Sequence, residues 1–153
     1  MIEMYLADAA ATDALGHALA ACRPADAVVH LHGDLGAGKS SLARALLRGL
    51  GVTGTVRSPT YTLVERYPLA DGREAWHMDL YRIGDPGELD FLGLDEGAAS
   101  LWLVEWPERG AAALPPVDLT IRLAMQGEGR QVRLEAASPT GEAWLAALPS
   151  GQV

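Results

Sequence analysis

At 153 residues, 49% hydrophobic and 21% charged, the chain has the composition of one ordinary folded domain, which excludes a largely disordered protein. Twelve basic against twenty acidic residues give a net charge of −8, the wrong sign for gripping nucleic acid by phosphate neutralisation, and the basic residues form no cluster. One cysteine, Cys22, excludes an internal disulfide; the opening residues lack the layout of a signal peptide, and no apolar run approaches the roughly 18 residues of a membrane span, so a cytoplasmic protein without membrane contact is expected.

In chain order, "IEMYL" alternates with period two and predicts a short strand. "DAAATDALGHALAACR" carries apolar or small residues at helical spacing and is followed by Pro24. "AVVHLH" (27–32) is a β-branched apolar run, the pattern of a buried strand. After a glycine-rich loop, Leu42, Ala43, Leu46, Leu47 and Leu50 recur at helical spacing with Arg44 and Arg48 opposite, and Gly51 fits a C-terminal cap. "TYTLVERY" (60–67) and "EAWHMDLYR" (74–82) flank Asp71-Gly72, a hairpin turn signal. "DPGELDFLGLDEG" (85–97) predicts a short helix with loops, and "LWLVE" (101–105) another strand. "DLTIRLA" and "RQVRLEA" form a second hairpin around Gly127–Gly129, and a last helix runs from about Thr140 to Leu148. This order of elements predicts a mixed sheet.

The loop "HGDLGAGKSS" (32–41) meets the phosphate-binding pattern G-x-x-x-x-G-K-[ST] at Gly33, Gly38, Lys39 and Ser40, with the required strand before it and helix after it. Glycines let backbone N–H groups close around phosphate oxygens, and the following helix adds a partial positive end of about half a charge. Lys39 is expected to reach the β- and γ-phosphates and the Ser40 hydroxyl to bind Mg²⁺. Lys39 is also the only lysine against eleven arginines. A compact ammonium suits this cradle where a guanidinium fork does not.

A P-loop enzyme needs an acid at the end of a neighbouring strand. Glu105 closes "LWLVE" before Pro107 and fits by position, although a strand-end glutamate facing solvent would look the same. In "AWHMDLYR" alternation sets Trp76, Met78 and Leu80 on one face and His77, Asp79 and Tyr81 on the other, a polar face that is either solvated or lines the nucleotide cleft. A His–Asp metal pair finds no further ligand at metal spacing among His17, His30 and His32. "RSPTYTLVERY" occupies the place of a switch segment, in which Thr60 or Thr62 could meet the metal or γ-phosphate and Arg57 the phosphates; strand propensity alone would also give such a threonine-rich stretch.

The motifs "GDLGAGKSSLAR", "VRSPTYTLVERY", "HMDLYRI", "ELDFLGLDE", "LVEWPERG" and "LPPVDLTIRL" together resemble the TsaE (formerly YjeE) family, over roughly residues 5 to 135. The resemblance implies an α/β fold, a single P-loop NTPase-like domain spanning 1–153 with a mixed parallel/antiparallel sheet flanked by helices. It implies a small ATPase using ATP and Mg²⁺, weak alone, that works with the TsaD and TsaB proteins. Together these form N6-threonylcarbamoyladenosine in tRNAs reading codons that start with A, with ATP hydrolysis resetting the TsaB–TsaD complex and tRNA reached only through it. Carried over by residue, the triphosphate falls on Leu35, Gly36, Ala37, Gly38, Lys39, Ser40 and Ser41, and Mg²⁺ on Ser40 and Glu105. Asp79 becomes important for hydrolysis, Thr60 part of the switch-like segment and Trp106 part of the same signature as Glu105. Adenine is expected near Ala9, Gly129 and Arg130. Ser40 departs from the threonine more common in the family, but either hydroxyl binds Mg²⁺.

Three other readings compete. A small-molecule or nucleoside kinase needs an acceptor pocket and an arginine-rich lid, and Arg109, Arg122, Arg130 and Arg133 fall in or beside predicted strands with no lid-sized insertion. A GTPase needs Asp-x-x-Gly and Asn-Lys-x-Asp; "DLYR" lacks the glycine, and the single lysine is already in the loop. A module that binds ATP without hydrolysing it fits the same residues.

Overall fold

The computed structural model describes residues 1–149; the last residues of the expected 1–153 span lie outside it. Seven strands form one sheet: β1 (Ile2–Leu6), β2 (Ala27–His32), β3 (Val64–Pro68), β4 (Glu74–Asp79), β5 (Ala99–Glu105), β6 (Leu119–Gln126) and β7 (Gly129–Ala136). Their order across the sheet is β1-β7-β6-β2-β5-β4-β3. β6, β2, β5 and β4 run parallel; β3 at one edge and β7 on the other side run against them, and β1 pairs antiparallel with β7, so the sheet is mixed as expected. Helices α1 (Ala9–Ala21), α2 (Lys39–Gly49) and α3 (Pro139–Ala147) share one core with the sheet.

Strand alternation divides the sheet's two faces. Val29, Leu31, Ala75, Leu101, Leu103, Ile121 and Val132 turn towards the helices and join Leu15, Leu19, Leu42, Leu46 and Trp144 in the larger core. Val28, Trp76, Met78, Trp102 and Val104 turn the other way, where Leu89 and the partly buried Leu114 cover them from the connecting segments; the Trp76 and Trp102 ring centroids lie 4.9 Å apart. The β1–β7–β6 part of that second face carries ion pairs instead, Glu3 to Arg133 at 3.1 Å and Arg122 to Glu135 at 3.3 Å.

Local chemistry sets the elements' ends. Asp8 caps α1 by accepting from the Ala11 N–H at 2.9 Å, and Ser138 caps α3 by accepting from Gly141 at 3.0 Å. The α1–α2 crossing is built on small residues: a Cβ on Gly16 would stand 2.4 Å from the Ala45 Cβ, and one on Gly49 would stand 2.7 Å from that of Ala20. This close approach fixes α2, the helix that opens on the glycine loop.

Three elements differ from the sequence reading. The strand expected at 60–67 begins only at Val64, because the Leu63 N–H bonds back to the Pro59 carbonyl at 2.9 Å and Leu63 adopts a left-handed φ of 70°. Thr60 is thereby held in a turn off the sheet. The strand expected at 74–82 ends at Asp79, after which the Ile83 N–H returns to the Leu80 carbonyl at 3.1 Å. The helix expected in 85–97 is instead a 3₁₀ segment, Pro86–Leu92, with a capping box between Asp85 and Glu88, stopped by the left-handed Gly93. No helix among the described residues is long and apolar enough to cross a membrane.

On β2, His30 is half-buried with its Nε2 unpartnered among the described residues. Burial first, then the neighbouring His32, pull its pKa down from 6.5 to about 4, against an opposing pull from Glu108. Between those values the unfolded chain binds the proton and the folded one does not, so stability rises with pH through the window and is lost on acidification. Allowing for solvent screening of a half-buried ring, about 1–2 kcal/mol is expected to disappear between pH 6.5 and 4. Urea melts across that range should show a flatter acid limb for His30→Val. Parallel curves for the two proteins would remove His30 as the cause.

Candidate functional site

The loop between β2 and α2 is shaped by glycines that no other residue replaces without strain. Gly33 has φ 151°, and a Cβ there would stand 2.5 Å from the Leu123 carbonyl oxygen. Gly36 and Gly38 have φ of 83° and 105°, the left-handed region, and Gly38 is the residue preceding α2. Arg130, at the start of β7, ties the loop down from the side: its Nε donates to the Ala37 carbonyl at 2.9 Å and one terminal nitrogen to that of Gly36 at 3.3 Å.

Lys39, the first residue of α2, is only 4% exposed. Its ammonium donates to the Gly33 carbonyl and to the Asp34 carbonyl at 3.0 Å, and stands 4.7 Å from the centroid of the Trp106 ring. A buried cation costs free energy unless its charge is met. Here carbonyl dipoles and a π face hold it, and no carboxylate among the described residues lies within salt-bridge distance of it.

Two acids end adjacent parallel strands at the same level, Asp79 of β4 pairing in register with Glu105 of β5. Both are buried. The alternation that sends Trp76 and Met78 to one core sends His77 and Asp79 to the face of α2. Glu105 Oε2 accepts from the Ser40 hydroxyl at 2.9 Å and lies 2.6 Å from His77 Nε2. Asp79 Oδ1 accepts from the Tyr81 N–H at 2.9 Å, while Oδ2 takes a long contact of 3.5 Å from the Thr60 hydroxyl, itself 2.7 Å from that of Ser58. Trp106, which follows Glu105, has a left-handed backbone (φ 56°, ψ 51°) and places its ring 4.9 Å from that of Tyr81.

These groups border one cleft of about 250 Å³, lined by Leu35, Gly36, Gly38, Lys39, Ser40, Ser41, Thr60, Asp79, Glu105, Trp106 and Arg130. A second cleft of about 550 Å³ runs along α1 and α2 and includes Ala9, Thr12, Arg44 and Gly129. The two share Gly38, Ser41 and Arg130, so they adjoin at the start of α2. The structure thus brings every residue expected at the triphosphate to the smaller cleft except Gly33 and Ala37, which shape the loop from behind. It sets Ala9, Gly129 and Arg130 together in the larger one. Gly129 is there for close approach: a Cβ would stand 2.4 Å from the Leu6 carbonyl oxygen.

The other switch-segment candidates line neither cleft: the Arg57 backbone N–H bonds the Tyr67 hydroxyl, and the Thr62 hydroxyl bonds Glu65. Three contacts are not predicted by the sequence: the cation–π seat of Lys39 on Trp106, the His77–Glu105 pair, and the grip of Arg130 on the Ala37 and Gly36 carbonyls. Period-two alternation did place His77 on the face of Asp79, and that was the available signal; nothing in the spacing ties Lys39 to Trp106.

Against this geometry, comparison with known proteins is consistent. Residues 6–132 match the family described as "Threonylcarbamoyl adenosine biosynthesis protein TsaE". A Haemophilus influenzae protein named "tRNA threonylcarbamoyladenosine biosynthesis protein TsaE" is 43% identical over 123 residues, 79% of this chain and 77% of that one. A Streptomyces coelicolor protein of the same name is 38% identical over 138 residues, 87% and 93% of the two chains. The solved structure described as "Crystal structure of Bacillus subtilus YdiB" superposes with a TM-score of 0.77 at 27% identity, covering 96% of this chain and 93% of that one. The fold is P-loop NTPase-like, and the chain belongs to the TsaE family of threonylcarbamoyl adenosine biosynthesis proteins.

Proposed function

We propose that the protein binds and hydrolyses ATP with Mg²⁺, in the cytoplasm, to support formation of N6-threonylcarbamoyladenosine in tRNAs that read codons starting with A. It acts with TsaD and TsaB, resetting their complex between turnovers, and is a weak ATPase alone. The observation that carries this reading is the convergence of Lys39, Ser40, Thr60, Asp79 and Glu105, from four separate segments, on one cleft that adjoins a larger one.

The donor set suits Mg²⁺. Ser40 and Glu105 offer two hard oxygen groups 2.9 Å apart, and no group of three or more His, Cys, Asp or Glu side chains that could hold a metal occurs among the described residues. Mg²⁺ keeps several waters and substrate oxygens, so two protein groups match its habit. When bound, the ion offsets phosphate charge and polarises the bond to be cleaved. In this proposal Lys39 supplies a fixed charge to the β- and γ-phosphates, and the loop and α2 N–H groups hold their oxygens. Asp79, with Oδ1 held by the Tyr81 N–H and Oδ2 near Thr60, orients the attacking water. The larger cleft takes the nucleoside between Ala9 on α1 and Gly129–Arg130. With a net charge of −8, contact with partner proteins is favoured over a direct grip on tRNA.

The test is reconstituted threonylcarbamoyl transfer to tRNA by TsaB and TsaD, with and without this protein and ATP. Its addition with ATP is expected to raise multiple-turnover modification while leaving the first turnover unchanged. Equal multiple-turnover yield in its absence would refute the reading, and phosphate transfer to a nucleoside would favour a kinase.

A further inference from the structure

We propose that His77 is a positioning residue that orients the Glu105 carboxylate for the metal. The inference rests on the reading of Glu105 as an Mg²⁺ group. His77 lies on β4 opposite Leu103 of β5, two residues before the paired Asp79 and Glu105. It is 1% exposed and packed on the same face as Ala75 and Leu103, positions that carry plain aliphatic side chains. An imidazole is an expensive choice there: its Nδ1 is buried with no hydrogen-bond partner among the described residues. What it gains is one contact, Nε2 to Glu105 Oε2 at 2.6 Å.

That contact is selective between the two carboxylate oxygens. Oε2 already accepts from the Ser40 hydroxyl, so two donors converge on it from α2 and β4. No hydrogen bond among the described residues reaches Oε1, and Glu105 lines the cleft. Filling one oxygen from two directions fixes the carboxylate plane and leaves the other oxygen to the ion. The unpartnered nitrogen also sets the tautomer. A proton on Nε2 is satisfied by the carboxylate, whereas one on Nδ1 would be a buried donor facing no acceptor. The arrangement is the oxygen-ligand counterpart of outer-shell partners that hold metal ligands in place, whose loss typically weakens metal binding about 10–100-fold.

Mn²⁺ titrated into the ADP complex and followed by electron paramagnetic resonance reads this directly, without turnover. Four proteins are compared: wild type, His77→Phe, which fills the space without a donor, His77→Gln, whose amide nitrogen reaches the Nε2 position, and Glu105→Ala. His77→Phe is expected to bind Mn²⁺ at least about tenfold more weakly while keeping metal-free ADP affinity. His77→Gln should restore most of that loss. Wild-type Mn²⁺ affinity in His77→Phe, with Glu105→Ala weakened, overturns the positioning role alone. Wild-type affinity in Glu105→Ala overturns the metal reading beneath it. Should His77→Phe fail to fold, long-range proton–nitrogen correlation on the unaltered protein decides: a protonated Nε2 is expected, and an Nε2 without a proton overturns the proposal.

Discussion

Lys39→Ala is expected to lower ATP turnover by at least about 100-fold and to weaken nucleotide binding as well, because it removes the buried ammonium that the proposed function aims at the β- and γ-phosphates in the smaller cleft. The folded state should tolerate the change. Lys39 is 4% exposed, and its ammonium is held by two carbonyls and the Trp106 ring, not by a carboxylate that would be left unpaired. Truncation therefore strands no opposite charge, and thermal melting is expected to stay close to wild type. The sharper arm is Lys39→Arg. A guanidinium keeps the charge but is a broad planar fork, and the space between the Gly33 and Asp34 carbonyls and the indole face suits a compact group. Arginine is expected to fail nearly as completely as alanine. Turnover in the presence of TsaB and TsaD, with equilibrium ATP titration, separates the outcomes. Near-wild-type activity in Lys39→Arg would mean that any cation suffices there and would leave the chain's single lysine unexplained.

How far the site could be read from the sequence follows from the range of the interactions that build it. The glycine loop depends on neighbours within eight residues, so Gly33, Gly38, Lys39 and Ser40 declared both the loop and the helix after it. Glu105 was placed by the end of an apolar run at a proline. Asp79 needed the pairing of β4 with β5, since alternation gave its face but not whether α2 or water covered that face. Strand propensity of threonine and tyrosine predicts a strand at Thr60, whereas the Leu63-to-Pro59 turn that keeps it off the sheet is a matter of backbone geometry. The 3₁₀ segment at Pro86–Leu92 shows a related limit, for its proline and capping box announce a helix start without saying which helix. Arg130 lies ninety-one residues beyond Lys39, yet sequence reading placed it only near the adenine. Its grip on the Ala37 and Gly36 carbonyls follows from β7 lying next to β6, whose Leu123 carbonyl backs Gly33.

Asp79→Asn is expected to separate turnover from binding, which Lys39→Ala cannot do. Asparagine keeps an oxygen to accept the Tyr81 N–H, so the turn after β4 and the pairing with Glu105 are retained. What changes is the second atom, a carboxylate oxygen whose single partner among the described residues is the Thr60 hydroxyl at 3.5 Å. A carboxylate held on one oxygen and nearly free on the other suits it to accept a proton from a water aimed at phosphate, and an amide NH₂ at that place donates instead. Loss of such a group costs typically 100-fold or more, so kcat is expected to fall about 100-fold with ATP affinity changed less than about threefold. Thr60→Val tests the other half of the contact. If Thr60 only steers the carboxylate, its loss should be milder, about tenfold or less, and the double variant should be no worse than Asp79→Asn alone. Independent, additive losses would mean that Thr60 acts on the phosphates or metal in its own right. Weakened ATP binding in Asp79→Asn would assign the carboxylate to the metal rather than to water.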